Sequence, residues 1–357
     1  MTSDDPRIHL IVLFGGQSAE HDVSCTTAAH VLRAADPTKY RITPIGIGRD
    51  GRWSLAEGAL AALAQGPEAL PGRLEADGLV VEPTAAITPT SGTTVVVPLL
   101  HGPLGEDGTV QGMLELADLP YVGTGVLGSA VAMDKAMAKV VAAQHGIPQA
   151  RHRAFRAHEV VPGLPAQLAA ELGLPLFVKP ANMGSSVGVN KATTVEAVRD
   201  AIEVALSYDE WVVVEEAITG REIEVAVLGN LHPKASVPGE IVPGADFYDY
   251  ADKYLDDGSQ SLIPAPLTVE QTAEVQALAV RAFQALRCEG LSRVDFFFEE
   301  HGRGFLLNEV NTMPGFTPIS MYPKLWMASG LSYRELIDEL VGLALERHTR
   351  RRRNTEH

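Results

Sequence analysis

Leu307-Asn308-Glu309-Val310-Asn311-Thr312-Met313-Pro314-Gly315-Phe316, taken with Arg293-Val294-Asp295 upstream, is the stretch on which the reading of this chain turns. Two β-branched and aromatic runs, Arg293 to Phe298 and Phe305 to Asn311, flank the polar turn Glu299-Glu300-His301-Gly302-Arg303-Gly304. That spacing predicts a β-hairpin. Alternation puts Arg293, Asp295 and Phe297 on one face and Val294, Phe296 and Phe298 on the other, and on the return strand it groups Leu307, Glu309 and Asn311. The hairpin then presents two carboxylates, one amide oxygen and one guanidinium together. Hard oxygen donors of this kind suit Mg²⁺, which keeps some of its waters and bridges substrate phosphates. Taken alone, Asp295 and Glu309 also read as a solvated, ion-paired sheet face, since charged residues mostly stay in water.

Upstream of the hairpin the sequence supplies partners for phosphate. Lys179 closes the apolar run Phe177-Val178-Lys179-Pro180, next to the glycine- and serine-rich loop Asn182-Met183-Gly184-Ser185-Ser186-Val187-Gly188. An ammonium at a strand end beside free loop N–H groups is the pattern that holds a phosphate; by itself it is also a snorkelling strand end. Lys135 lies in Met133-Asp134-Lys135, within a helix expected from Leu127 to His145 that stops at Gly146 and Pro148. Trp211 to Glu216 and Ile223 to Leu228 predict a second hairpin around Thr219-Gly220. Glu215 and Glu222 flank it, where they can accept hydrogen bonds from an adenine amino group and ribose hydroxyls. The first third alternates apolar strands (Ile8 to Phe14, Arg41 to Ile47, Thr94 to Leu100) with helical segments, which predicts an open parallel sheet with both faces covered.

At 357 residues, the chain is long for one core, and 46% hydrophobic content predicts ordinary globular packing. A net charge of −16 argues against nucleic acid as the main partner. The two cysteines, Cys25 and Cys288, read as buried apolar residues in a reducing compartment. No segment has the length of a membrane span or the pattern of a signal peptide, so a cytoplasmic protein is expected. The arginine-rich end, Arg347 to Arg353, reads as a solvated tail. No G-x-x-x-x-G-K-[ST] occurs. A G-x-G-x-x-G does, at Gly123, Gly125 and Gly128, but Pro120 breaks the strand before it. No acid stands about 20 residues on, so those glycines read as a tight strand-to-helix entry rather than a nicotinamide site.

Together, Phe177-Val178-Lys179-Pro180, the Gly184 to Gly188 loop, Arg221-Glu222-Ile223-Glu224 and the Asp295, Glu309 and Asn311 set resemble the ATP-grasp superfamily. Within it, further segments resemble the D-alanine–D-alanine ligases: Phe14-Gly15-Gly16-Gln17-Ser18-Ala19-Glu20, His101-Gly102, Met133-Asp134-Lys135, Phe247-Tyr248-Asp249-Tyr250 with Lys253-Tyr254, and Glu309 through Phe316. The resemblance spans residues 10 to 330 in the family's order. It implies an α/β, three-domain ATP-grasp architecture: an N-terminal open parallel sheet domain (1–130) and two α+β domains clasping ATP (131–228 and 229–357), with 244–262 as a lid. The implied reaction joins two D-alanines through an acylphosphate, using ATP and two Mg²⁺ (or Mn²⁺) ions, in a cytoplasmic homodimer that engages neither nucleic acid nor membrane.

The residue roles carried by the resemblance are specific. Asp295, Glu309 and Asn311 would hold metal; Lys135 and Lys179 the α- and β-phosphates; Lys253 the γ-phosphate; Glu215 and Glu222 the nucleoside. Arg293 and the Gly315 N–H would stabilise the oxyanion. Glu20 would pair with the first D-alanine's ammonium beside His101, and Glu20, Ser185 and Tyr254 would form a hydrogen-bonded set under the closed lid. Ser320 and Met321 would lie at the acceptor, where Met321 favours D-alanine over D-serine and the retained Tyr254 favours an amine over D-lactate. Glu216 departs from members that carry a lysine there. The rival readings are a D-lactate or D-serine ligase, a nicotinamide-dependent oxidoreductase and a non-catalytic nucleotide sensor.

Overall fold

The computed structural model describes residues 5–89, 92–242 and 260–351. Its first unit is a five-stranded sheet ordered Leu79–Val80, Trp53–Leu55, Tyr40–Ile47, Ile8–Gly15 and Thr94–Pro98. Ile8–Gly15 pairs in parallel with Tyr40–Ile47 and with Thr94–Pro98. The remaining two strands are added antiparallel at one edge. Ile8–Gly15 is buried almost end to end, as a central strand covered on both faces must be.

The second unit is a four-stranded antiparallel sheet ordered His152–Arg156, Trp211–Glu216, Leu176–Pro180 and Asn190–Ala192. The third is antiparallel throughout, with Arg221–Gly229 against Gly290–Glu299 and Gly290–Glu299 against Gly304–Asn311. Trp211–Glu216 and Arg221–Gly229 are therefore not a hairpin: consecutive in sequence, they belong to different sheets. The sheet changes between Glu216 and Arg221, upstream of the boundary expected at 228. Glu216 helps hold this crossover, accepting from Arg151 Nε at 2.8 Å and from Arg303 Nη1 at 2.6 Å. Glu216 thus has a structural use in this chain.

Two further differences have local causes. The single helix expected from Leu127 to His145 is two, Val126–Met133 and Lys135–Gln144. Asp134 takes an extended backbone between them, and its side chain caps the second helix by accepting from Met137 N–H at 3.0 Å. In the opening hairpin the register slips between Asp295 and Phe296, so that Asn308 is the extra residue of a β-bulge. The bulge re-phases the strand. Leu307 joins Val310, Phe296 and Phe305 in the core and does not share the face of Glu309 and Asn311.

The largest core is shared between the two ends of the chain. Leu10, Val12 and Phe14 of the first sheet pack in one cluster with Phe316, Tyr322, Leu325, Leu336, Ile337 and Leu340. The last five come from Met321–Ala328 and Tyr333–Arg350, the two C-terminal helices. At the base of the latter helix, Arg347 lies over the Tyr121 ring at 3.9 Å and donates to the carbonyls of Tyr121 and Gly123. The arginine-rich end is thus anchored as far as the described residues run. Among the described residues no helix is long and apolar enough to cross a membrane.

Candidate active site

The hairpin register sets the site's floor. Asp295 stands opposite Glu309, and Arg293 opposite Asn311. Arg293 is half-buried between two carboxylates: Nε and Nη2 donate to Asp295 at 2.8 and 2.7 Å, and Nε lies 3.1 Å from Glu224. Burial works against its charge, but Asp295 and Glu224 outweigh it and raise the guanidinium further above its usual range. Glu224 belongs to the Arg221-Glu222-Ile223-Glu224 motif, where the sequence assigns it no role of its own. Alternation along Arg221–Gly229 places it on the face of Glu222, and its cross-strand partner is Asp295.

Oxygen donors dominate this floor. Among the described residues no group of three or more His, Cys, Asp and Glu is gathered to hold a metal ion unaided. Two carboxylates and one amide, completed by phosphate oxygens and water, fit a hard divalent ion of the Mg²⁺ type. Asn311 is held for such a role, its Oδ1 accepting from Met313 N–H at 3.1 Å.

Three lysines lie between the loop 182–188 and Glu215. Lys135 Nζ donates to the Met183 carbonyl at 2.5 Å. Lys179 Nζ donates to Glu215 at 3.0 Å, and Lys139 Nζ stands 3.1 Å from the same carboxylate as a charge contact without hydrogen-bond geometry. Burial alone would raise Glu215, but Lys139 and Lys179 together draw it down to about 2. Lys135 and Lys139 are both pushed below the usual lysine range by burial, against the pull of nearby carboxylates. Lys139 is a residue the sequence reasoning missed. Its signal was available: it lies four residues after Lys135, on the same helix face.

Two units meet at Glu20, which precedes the helix His21–Ala34. Ser185 Oγ donates to Glu20 Oε1 at 2.5 Å, linking the first sheet's loop to the 182–188 loop. Ser185 reaches it from a left-handed backbone, φ 47°. Gly184 is required by the same approach, since a Cβ there would stand 2.8 Å from Glu20 Oε2. His101 Nδ1 hydrogen-bonds the Met313 carbonyl at 2.9 Å, while its buried Nε2 has no partner among the described residues. Gly315 lies beside Ser320, whose Oγ pairs with Thr317 Oγ1 at 2.8 Å.

The remaining sites are placed less centrally. Met321 is buried in the shared core, its side chain against Gly239, rather than among the polar groups. Glu222 stands near the start of its strand, opposite Phe297 and Ile241. Lys253 and Tyr254 lie outside the described residues, as does most of the 244–262 segment. The glycines of the G-x-G-x-x-G are packed against protein: a Cβ at Gly128 would stand 2.6 Å from the Arg287 carbonyl. Gly125 caps the helix Val126–Met133. They form the strand-to-helix entry expected.

Two antiparallel-sheet units that carry these lysines and oxygen donors, beside an N-terminal α/β sheet, are the architecture of the ATP-grasp class of ligases. Residues 9–124 match the family described as D-ala D-ala ligase N-terminus, and residues 141–342 match D-ala D-ala ligase C-terminus. The chain is 47% identical to a D-alanine–D-alanine ligase of Bacillus cytotoxicus, covering 96% of this chain and 97% of the relative. Its fold matches the solved D-alanine–D-alanine ligase of Coxiella burnetii with a TM-score of 0.82 and 38% identity, over 97% of this chain and 96% of that one. It also matches the VanG D-Ala:D-Ser ligase of Enterococcus faecalis, with a TM-score of 0.80 and 36% identity over 95% and 99%. The chain belongs to the D-alanine–D-alanine ligase family.

Proposed function

We propose that this chain joins two D-alanines into D-alanyl-D-alanine, converting ATP to ADP and phosphate, and so supplies the dipeptide of peptidoglycan precursors. The hairpin register carries this reading, because it sets Asp295 beside Glu309 and Arg293 beside Asn311 on one patch. Asp295, Glu309 and Asn311 would hold Mg²⁺ or Mn²⁺, which supplies charge neutralisation at the β- and γ-phosphates. Lys135 and Lys179 neutralise the α- and β-phosphates, Lys253 the γ-phosphate, and Glu215 and Glu222 receive the nucleoside.

The first D-alanine is held by its ammonium on Glu20, next to His101. A carboxylate oxygen of that substrate attacks the γ-phosphorus in line, the bond to the β–γ bridging oxygen breaks, and ADP leaves an acylphosphate behind. The amine of the second D-alanine, placed near Ser320, then attacks the acyl carbon. Arg293 and the Gly315 N–H receive the charge that develops on the carbonyl oxygen, each such donor contributing about 3 kcal/mol. Collapse expels phosphate, and the amine sheds its proton. Glu224 and Asp295 fix the guanidinium in place before the reaction begins. Glu20, Ser185 and Tyr254 secure the segment that shields the acylphosphate from water. The working form in this reading is a cytoplasmic homodimer.

The test is mass-spectrometric product analysis with ATP, Mg²⁺ and a mixture of D-alanine, D-serine and D-lactate. D-Alanyl-D-alanine as the main product is expected. A dominant D-alanyl-D-serine or D-alanyl-D-lactate product overturns the acceptor assignment, and no nucleotide-dependent product overturns the function. NADH is expected not to bind.

A further inference from the structure

The loop 182–188 is strained at its centre and held at both ends by one short turn. Ser185 and Ser186 take left-handed backbone, φ 47° and 58°, which a non-glycine residue keeps only where its surroundings enforce it. That turn is Tyr208-Asp209, between the helix Val195–Leu206 and the strand Trp211–Glu216. At the loop's entry, Asp209 Oδ2 accepts from the Asn182 N–H at 2.7 Å and from Asn182 Nδ2 at 2.9 Å. At its exit, the Tyr208 ring lies so close to Gly188 that a Cβ there would stand 2.8 Å from it. Asp209 is itself braced. Its Oδ1 accepts from the Trp211 N–H at 3.1 Å, and its own N–H donates to the Ala205 carbonyl at 3.2 Å.

Asp209 takes hold of the loop beside the groups assigned to phosphate. The Ala181 N–H donates to the Trp211 carbonyl at 3.0 Å, and the Ala181 carbonyl accepts from the Lys135 N–H at 3.1 Å. One residue past Asn182, the Met183 carbonyl receives Lys135 Nζ. Asn182 thus stands between the Lys135 helix and the Tyr208-Asp209 turn, and Asp209 fixes it by both backbone and side chain. A loop whose N–H groups are already aimed binds an anion without first drawing on binding energy to order itself. Neither Tyr208 nor Asp209 enters the mechanism above.

We propose that Asp209, with Tyr208, is a positioning residue for nucleotide: the pair clamps both ends of the 182–188 loop and so pre-aims its N–H groups at the phosphates. This inference rests on the ligase reading. Once nucleotide fills the site, its phosphates hold the loop from within. Loss of the clamp therefore falls on ATP affinity and not on turnover at saturating ATP.

The test compares Asp209→Ala, Asp209→Asn and Tyr208→Ala in the full-length chain. Val198→Ala serves as the control, since it trims a fully buried residue of the same unit in a cluster that contains no loop residue. ATP is varied at saturating D-alanine and Mg²⁺, melting temperatures are recorded, and amide exchange across 182–188 is followed by mass spectrometry. Asp209→Ala is expected to raise KM for ATP about tenfold or more, with kcat within about threefold of wild type and faster loop exchange. Tyr208→Ala should raise KM for ATP about threefold. Asp209→Asn still offers an oxygen to the Asn182 N–H, and its KM should stay within about threefold of wild type. Val198→Ala should melt earlier with KM for ATP unchanged. An unchanged KM for ATP in both Asp209→Ala and Tyr208→Ala overturns the proposal, as does an equal rise in Val198→Ala. Where Asp209→Ala fails to fold, Tyr208→Ala, at an exposed side chain, decides alone. A wild-type chain that makes no dipeptide overturns the ligase reading itself, which separates the two failures.

Discussion

Ser185 Oγ donates to Glu20 Oε1 at 2.5 Å, so a residue of the glycine-serine loop closes directly onto the loop that follows the first strand of the chain. Hydroxyl-to-carboxylate bonds of this length are charge-assisted and stronger than neutral ones. The contact also aims Glu20 before substrate arrives. Ser185→Ala is expected to lower kcat/KM for D-alanine by about 10- to 100-fold, and Glu20→Gln by at least as much. Because the two residues act as one unit, the double variant should lose far less than the product of the single losses. Additive losses in a double-mutant cycle would separate the two roles.

Asp295→Asn and Glu309→Gln each remove one oxygen charge from the hairpin patch. Turnover is expected to fall by orders of magnitude in both, on the order of 10³-fold, while ADP still binds weakly. The Asp295 variant should fall further, since Arg293 loses its bidentate partner as well. Titrating Mg²⁺ against activity checks the assignment: an unchanged dependence in both variants would refute it.

Glu215 joins two lysines in a nearly dry setting, and Lys139→Met leaves it with one. Removing one partner of a buried ion pair costs about 3–5 kcal/mol. The pH dependence has a definite sign. Glu215 titrates at about 2 in the folded chain, below its unfolded value of about 4.3, so its contribution is present above the latter and is lost as pH falls towards about 2. In Lys139→Met the folded value rises, and acid unfolding followed by circular dichroism should begin at higher pH than in wild type. KM for ATP should rise in the same variant.

Cys25 and Cys288 are buried, and burial first of all pushes both thiols up to about 12. Neither is expected to react with iodoacetamide at neutral pH in the folded chain, while both should react in urea. Labelling counted by intact mass distinguishes the outcomes, and rapid native modification of either would contradict the packing.

What the sequence made legible followed from local pattern. The hairpin from Arg293 to Asn311, the metal-type donor set, the Lys179 strand end and the Ser185 loop each carry their signal in spacing and residue type. The misses share a different cause. The bulge at Asn308 is a change of register, which composition does not encode. Trp211–Glu216 and Arg221–Gly229 look like hairpin partners because the turn between them is short, yet each finds a better partner in another sheet. Asp134 ended a helix that periodicity alone would continue, because its side chain competes for backbone N–H groups.

The core that joins Leu10, Val12 and Phe14 to Leu336, Ile337 and Leu340 bears on how the chain is made. Synthesis delivers the first sheet long before the helix Tyr333–Arg350 that covers part of it. During that interval an apolar face stands uncovered, in need of a chaperone or of transient self-shielding. A ribosome-bound chain stalled before residue 330 should therefore present a sticky, protease-sensitive first unit. Emergence of the helix Tyr333–Arg350 would seal it, and the strand Ile8–Gly15 would reach its native protection only then.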